Sequence, residues 1–362
     1  MRAFNEIGIE LNNVCNFRCK HCLRDFSEDS RNLPLDLIER VLREAKAYEA
    51  SHVAFTGGEP TLHPKFRAIL DTCDALGYTY HVCTNGSLLP RLWNRLFEGR
   101  PGLTGISLSL DGATEKTHDA IREPGSYRTV MQSISLCQVK GVPVTVQMIV
   151  NRKNRGELTD FALLVAQLKL RKGYFGFLQP VPAMDDLGLI LTPEEMIAVK
   201  AEVERIRAAV TVPLELSVGH YVKNPLAICR TLDLSTIYID HRGNLNFCCQ
   251  LSGYLEADES QSEVVCSLAD HNLQEAHLKL VEWVARHHRD KIARIAAGDL
   301  SLPDLFPCFY CAKYFRKVGW LERRPGHPWG PSQPAEEKTD TDLTKIARLE
   351  LPVLSSQVNP LA

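Results

Sequence analysis

Cys15-Asn16-Phe17-Arg18-Cys19-Lys20-His21-Cys22 places three thiols in one short stretch, separated by three residues and then by two. It follows the apolar alternation Ile7-Gly8-Ile9-Glu10-Leu11, which reads as a strand. Thiolates bind iron–sulfur clusters, and a tight run of cysteines lets one loop wrap several irons of one cluster. Three ligands for a four-iron cube leave one iron open, and an open metal position is built to bind something else. A zinc knuckle lacking its fourth ligand, or thiols that are merely buried, are the plainer alternatives.

The chain around this loop has 362 residues, 44% of them hydrophobic, enough for a full core and an appended module. A formal charge of -2 favours neither nucleic acid nor a membrane surface as partner. No apolar run approaches the roughly 20 residues of a membrane span. The first residues enter a strand at once, so no signal peptide is expected. Twelve clustered cysteines in such a chain favour metal binding over a disulfide scaffold, and a reducing, cytoplasmic setting is the expectation.

Downstream, short apolar runs alternate with helical periods. Strands are predicted at 52–56, 79–83, 103–110, 142–150 and 173–178, with helices at 34–48, 65–76, 88–97, 130–140 and 158–170. Six βα units predict an α/β fold, a partial (β/α)6 TIM-type barrel, with ligands at the C-terminal ends of the strands. The second strand runs into Thr56-Gly57-Gly58-Glu59-Pro60, where paired glycines admit close backbone approach to a ligand. The third ends in Thr84-Asn85-Gly86. The fourth gives Ser107-Leu108-Ser109-Leu110-Asp111, whose alternation puts Ser107, Ser109 and Asp111 on one face, and Arg122 follows. Cys73, Cys83 and Cys137 fall in apolar periodic segments and read as core.

The cysteine spacing together with Gly-Gly-Glu-Pro resembles the radical S-adenosylmethionine (SAM) superfamily. The resemblance implies that Cys15, Cys19 and Cys22 hold a [4Fe-4S] cluster whose fourth iron is chelated by SAM. It also implies that Gly57, Gly58, Glu59, Asn85, Ser109, Asp111 and Arg122 help to position SAM, and that a 5′-deoxyadenosyl radical abstracts hydrogen from substrate. His21 departs from the family, which usually has an aromatic residue before the third cysteine.

A second cysteine system begins past residue 214. Cys229 and Cys248 flank a predicted hairpin, 236–240 and 244–247 with Gly243 in its turn, and Cys308-Phe309-Tyr310-Cys311 follows. Four thiolates suffice to enclose a cluster, or equally a four-cysteine zinc ion. The pattern resembles the SPASM and Twitch extensions of radical SAM enzymes, which implies one auxiliary [4Fe-4S] cluster on Cys229, Cys248, Cys308 and Cys311. Cys249 and Cys266 stay unassigned. His287 and His288, adjacent on a predicted helix, read as a solvated face. The expected organisation is a barrel at 1–215, a small α+β iron–sulfur extension at 216–322 and a mobile tail at 323–362, with 346–354 as a short docking segment.

The function expected from the resemblance is oxidation of a small molecule, with the auxiliary cluster as electron acceptor and an external one-electron reductant such as flavodoxin or ferredoxin. A start directly at the first strand, without a peptide-recognition domain, tilts the expectation toward a small molecule over a ribosomally made peptide. An iron–sulfur carrier without SAM chemistry would leave Gly-Gly-Glu-Pro unexplained.

Overall fold

A computed structural model of the chain describes residues 4–23, 29–252 and 262–330. The chain alternates β1 (Glu6–Glu10), α1 (Leu35–Ala45), β2 (His52–Thr56), α2 (Phe66–Ala75), β3 (Thr79–Thr84), α3 (Leu89–Leu96) and β4 (Leu103–Ser109). It continues through α4 (Glu115–Ile121), α5 (Ser126–Val139), β5 (Val144–Val150), α6 (Leu158–Gln167) and β6 (Lys172–Phe177). β1 to β6 pair in sequential order, all parallel. These are the six expected βα units, with boundaries shifted by only a few residues. α5 starts four residues before the expected 130, because Gly125 supplies a left-handed N-cap (φ 79°).

Alternation sorts the strand side chains. Ile7, Ile9, Val53, Phe55, Tyr80, Val82, Ile106, Leu108, Val146 and Met148 are buried under the helices, facing stripes such as Ile38, Val41, Leu42 and Ala45 of α1. Their alternates line a polar lumen. His52 and His81 stack there, with Nε2 to Nδ1 at 2.8 Å. Cys83 was expected in the core, but its neighbours Val82 and Thr84 are the buried ones, and its thiol bonds Ser107 and Gln147 on the lumen face. Cys73 and Cys137 are buried in the core.

The sheet does not stop at six strands. After α7 (Pro182–Asp186) and α8 (Pro193–Ala209), β7 (Leu214–Leu216) adds in parallel to β6. α9 (Val218–Tyr221) leads on to β8 (Thr236–Ile239) and β9 (Asn244–Asn246), the expected hairpin, and then β10 (Val264–Ser267). β8 pairs in parallel with β1, so the order is β10-β9-β8-β1-β2-β3-β4-β5-β6-β7. The barrel is open, and the hairpin is hydrogen-bonded to its first strand. α10 (Leu273–Ala296) opens on a capping box between Asn272 and Glu275, and α11 (Pro307–Tyr314) carries the C-x-x-C pair.

Packing continues past residue 323, where a mobile tail was expected. Arg324 pairs with Asp185 and Asp186, and the Trp329 indole is buried. That indole stacks on Phe309 and donates its Nε1–H to Leu191 O at 2.7 Å. The rest of the expected tail, including 346–354, lies outside the described residues.

Candidate active site

The cysteine loop leaves the C-terminal end of β1 and is held from two sides. On one side stands the Gly57-Gly58 turn at the end of β2. Gly58 N–H donates to Asn12 O and Glu59 N–H to Val14 O, both at 2.8 Å. Gly57 has φ +137°, and a Cβ there would meet Asn12 O at 2.6 Å, so only glycine brings the two backbones this close. Glu59 is fully buried. Its carboxylate accepts from Thr61 N–H, the Thr61 and Thr84 hydroxyls, and Asn85 N–H. Burial pushes its pKa up against those hydrogen bonds. Glu59 thus ties the end of β2 to the end of β3. Asn85 in turn donates Nδ2–H to Asn16 Oδ1 at 3.0 Å, beside Cys15 Sγ at 3.9 Å, and Asn16 donates to Ser87.

On the other side stands the end of α4. Lys20 N–H donates to Ile121 O at 2.9 Å, and Arg18 N–H to the Glu123 carboxylate at 2.7 Å. Next to it is a charge cluster. Asp111 is fully buried; its Oδ2 lies 2.5 Å from Arg122 Nε and 3.2 Å from His21 Nε2, and its Oδ1 accepts Ile149 N–H at 2.7 Å. Burial alone would raise the Asp111 pKa, but Arg122 and His21 override it and hold the carboxyl well below the usual carboxylate range. The Asp111 carboxylate is therefore occupied by protein donors and acts through Arg122, whose Nη1 reaches Cys19 Sγ at 3.7 Å. Ser107 and Ser109 remain on the lumen face. His118 accepts Asp111 N–H at Nδ1, and burial lowers its pKa to about 4, which keeps it the neutral acceptor that this bond requires. His118, Asn16 and Glu123 were not singled out from the sequence; nothing in their local pattern separates them from ordinary helix and loop residues.

The three thiols interact with one another. Burial pushes Cys19 up to about 11, Arg122 opposes that, and Cys22 and Cys15 add to it. A metal deprotonates a coordinating thiol outright, and Arg122 then faces the thiolate so formed. Three converging thiols beside a buried guanidinium fit an anionic iron–sulfur cluster.

The second cysteine set also comes together. Cys229, Cys248, Cys308 and Cys311 line one cavity with Phe247 and Leu251. Cys308 and Cys311 sit three apart at the start of α11 and share its face. Burial raises Cys229, Cys308 and Cys311, each further raised by other members of the set. Gly219 makes room: a Cβ there would stand 2.7 Å from Cys308 Sγ and 2.2 Å from the Phe177 ring. Among the described residues no three Cys, His, Asp or Glu side chains converge on a single metal ion. Four thiols lining one cavity could enclose either an iron–sulfur cluster or a four-cysteine zinc ion. Cys266 is buried on β10 away from this cavity, and exposed Cys249 sits beside Cys248.

His287 overturns one expectation. It is fully buried, ringed by Phe247, Tyr310, Tyr314 and Phe315, and its Nε2 lies 3.5 Å from Cys311 Sγ. His287 therefore packs against Cys311, while His288 stays partly exposed and Arg289 and Asp290 face solvent as expected.

Side chains of β6 and β8 come near the second thiol set. Tyr174 on β6 is within electrostatic reach of Cys249 and Cys308, and bonds Ser217. Tyr238 on β8 lies against Gly8 of β1, near Glu10 and Cys249. Glu10 pairs with His241 at 3.1 Å.

Comparison with known proteins agrees with this layout. The family model of the radical SAM superfamily matches residues 9–165. A probable GTP 3′,8-cyclase of Saccharolobus islandicus is 32% identical over 214 residues, 56% of this chain and 69% of that protein. The mycofactocin maturase MftC of Mycobacterium ulcerans is 30% identical over 158 residues, 43% of this chain and 42% of that protein. Among solved structures, Streptococcus suis SuiB bound to its precursor peptide SuiA superposes with a TM-score of 0.63 at 14% identity. That match covers 76% of this chain and 64% of SuiB. The anSMEcpe structure with bound AdoMet gives a TM-score of 0.60 at 15% identity, covering 88% and 97%. The chain belongs to the radical SAM superfamily, whose members use a [4Fe-4S] cluster and SAM.

Proposed function

We propose that this protein is a radical SAM oxidoreductase acting on a small polar molecule held in the lumen between two clusters. Cys15, Cys19 and Cys22 would hold the SAM-binding cluster, and Cys229, Cys248, Cys308 and Cys311 an auxiliary [4Fe-4S] cluster. With the first cluster and SAM held there, the site would supply radical chemistry for hydrogen-atom removal from substrate carbon. Gly57 and Gly58 keep the cysteine loop against β2, Asn85 and Ser109 border the space for SAM, and Asp111 aims Arg122 at Cys19. Glu59 belongs to the same frame.

The observation that supports the oxidative reading is a second set of four thiols lining one cavity, with Tyr174 of β6 within electrostatic reach of Cys308. Oxidising a C–H carbon by two electrons requires, after loss of a hydrogen atom, loss of one further electron and one proton. The four-cysteine site would take the electron, and the Glu10–His241 pair stands near the lumen to take the proton. Each turnover also draws one electron into SAM cleavage, which calls for an external one-electron donor such as a flavodoxin or ferredoxin. Hydrogen-bonding lumen groups, Gln147, Tyr174, Tyr238 and Ser107, favour a small polar substrate. The free state of all twelve cysteines fits a reducing, cytoplasmic setting, and among the described residues no helix is long and apolar enough to cross a membrane.

A second reading, a peptide substrate, is favoured by the similarity to MftC and to SuiB, which is seen bound to a precursor peptide. The reduced, reconstituted protein should be given SAM with either the low-mass or the peptide fraction of its host's extract. Formation of 5′-deoxyadenosine above background with the low-mass fraction alone supports the first reading. Stimulation by the peptide fraction alone replaces it with the second.

A further inference from the structure

We propose that one face of α10, through His287 and Lys291, hydrogen-bonds and charges the sulfurs of the four-cysteine site and so raises the reduction potential of the cluster held there. The inference rests on the auxiliary-cluster reading above. His277, Leu280, Val284, His287 and Lys291 recur every three to four residues and are all buried. An inward stripe of a soluble helix is normally apolar throughout, yet here it carries imidazoles at His277 and His287 and an ammonium at Lys291, the last two at the end nearest the cysteines.

His287 contacts a sulfur directly, and Lys291 lies within electrostatic reach of three of the cysteines. His287 Nε2 is 3.5 Å from Cys311 Sγ, within reach of an N–H···S bond. Lys291 is 4% exposed, with Nζ 4.7 Å from the centre of the Tyr310 ring. Among the described residues no carboxylate stands within ion-pair distance of it. The cysteines within electrostatic reach of it are Cys311, Cys229 and Cys308. A buried ammonium without a counter-charge is strongly unfavourable. Four thiolates around an iron–sulfur cube leave a net negative charge that answers it. Charge near a cluster and hydrogen bonds to its sulfurs are two of the terms that set its potential. A positive group and an N–H donor both favour the more negative, reduced state. They would make this cluster a better acceptor for the electron left on substrate.

The test uses the full-length chain with Cys15, Cys19 and Cys22 replaced by alanine, reconstituted anaerobically so that only the second site carries iron. Redox titration followed by EPR then reads that cluster alone. At the potential where the parent is half reduced, K291M should lower the reduced-to-oxidised ratio about tenfold, which is 59 mV for one electron. H287L should shift it the same way, while K291R should stay near the parent. As a folding control independent of iron, K291M should melt higher than the parent when both are iron-free, because it removes an uncompensated charge. Unchanged potentials in K291M and H287L with iron retained would overturn the inference and leave the cluster reading intact. Loss of iron in H287L would make His287 a ligand and overturn its role as a donor to sulfur. A parent that binds no iron would overturn the inference together with the cluster reading beneath it.

Discussion

Replacing Asp111 with asparagine probes the charge cluster behind the cysteine loop. The carboxylate serves three donors: Arg122 Nε at 2.5 Å, His21 Nε2 at 3.2 Å and Ile149 N–H at 2.7 Å. Asparagine keeps one oxygen for Ile149 but turns an NH2 toward Arg122 and His21, setting donor against donor. Removing one partner of a buried ion pair costs about 3–5 kcal/mol, because the other charge is left uncompensated. Cys19, 3.7 Å from Arg122 Nη1, offers partial relief, so the lower end, about 3 kcal/mol, is expected in iron-free protein. In anaerobic urea unfolding this moves the midpoint by roughly 1 M. The pH dependence has a definite sign. Asp111 is held below the usual carboxylate range, so its stabilisation is complete above the unfolded pKa of about 4 and is lost as pH falls toward the folded value. The penalty for D111N should therefore be the same at about pH 6 and pH 8 and shrink only below about pH 4. A loss under about 1 kcal/mol, or one that has already vanished by about pH 6, would refute the reasoning.

Four further substitutions test other parts of the structure. G57A places a methyl group 2.6 Å from Asn12 O at φ +137°, and should detach the cysteine loop, so that reconstitution yields about four irons where the parent binds about eight. C248S should lose about four irons and C249S none; equal losses would show that the two neighbours share the ligand role. W329A empties the pocket on Phe309 and breaks the bond to Leu191 O, and should destabilise the protein by about 3–5 kcal/mol in the same urea assay. A change below about 1 kcal/mol would mean that the segment after residue 323 is not docked in solution.

The barrel was legible because each strand and helix announces itself locally. Val53 and Phe55 alternate with polar residues, the α1 stripe repeats every three to four residues, and Gly77 and Gly141 close helices. The grouping of the thiols was legible from their spacing together with the family resemblance. What escaped depends on partners far away in sequence. β8 lies against β1 across more than two hundred residues, and no local pattern records that pairing. His287 and Lys291 look like solvent-facing residues because polarity usually reports exposure, and only the cysteines opposite them reverse that rule. Cys83 illustrates a different failure. Its neighbours Tyr80 and Val82 already implied that it faces the lumen, but an apolar-looking run outweighed the period-two argument. Asp111 was found as a site residue, while its work through Arg122 became visible only with its oxygens' partners in place.

β8 has a consequence for the free edges of the sheet. An open barrel ends in strands whose outer N–H and C=O groups have no partner, and such a rim templates pairing with another chain. Here the outer rim of β1 is occupied along Glu6–Ile9 by β8, and the short β9 and β10 carry the sheet onward. The segment that bears the second thiol set thus also works as a guard strand. A barrel cut at residue 215 would bare the β1 rim and should self-associate, so the extension earns its place in the fold before any iron is bound.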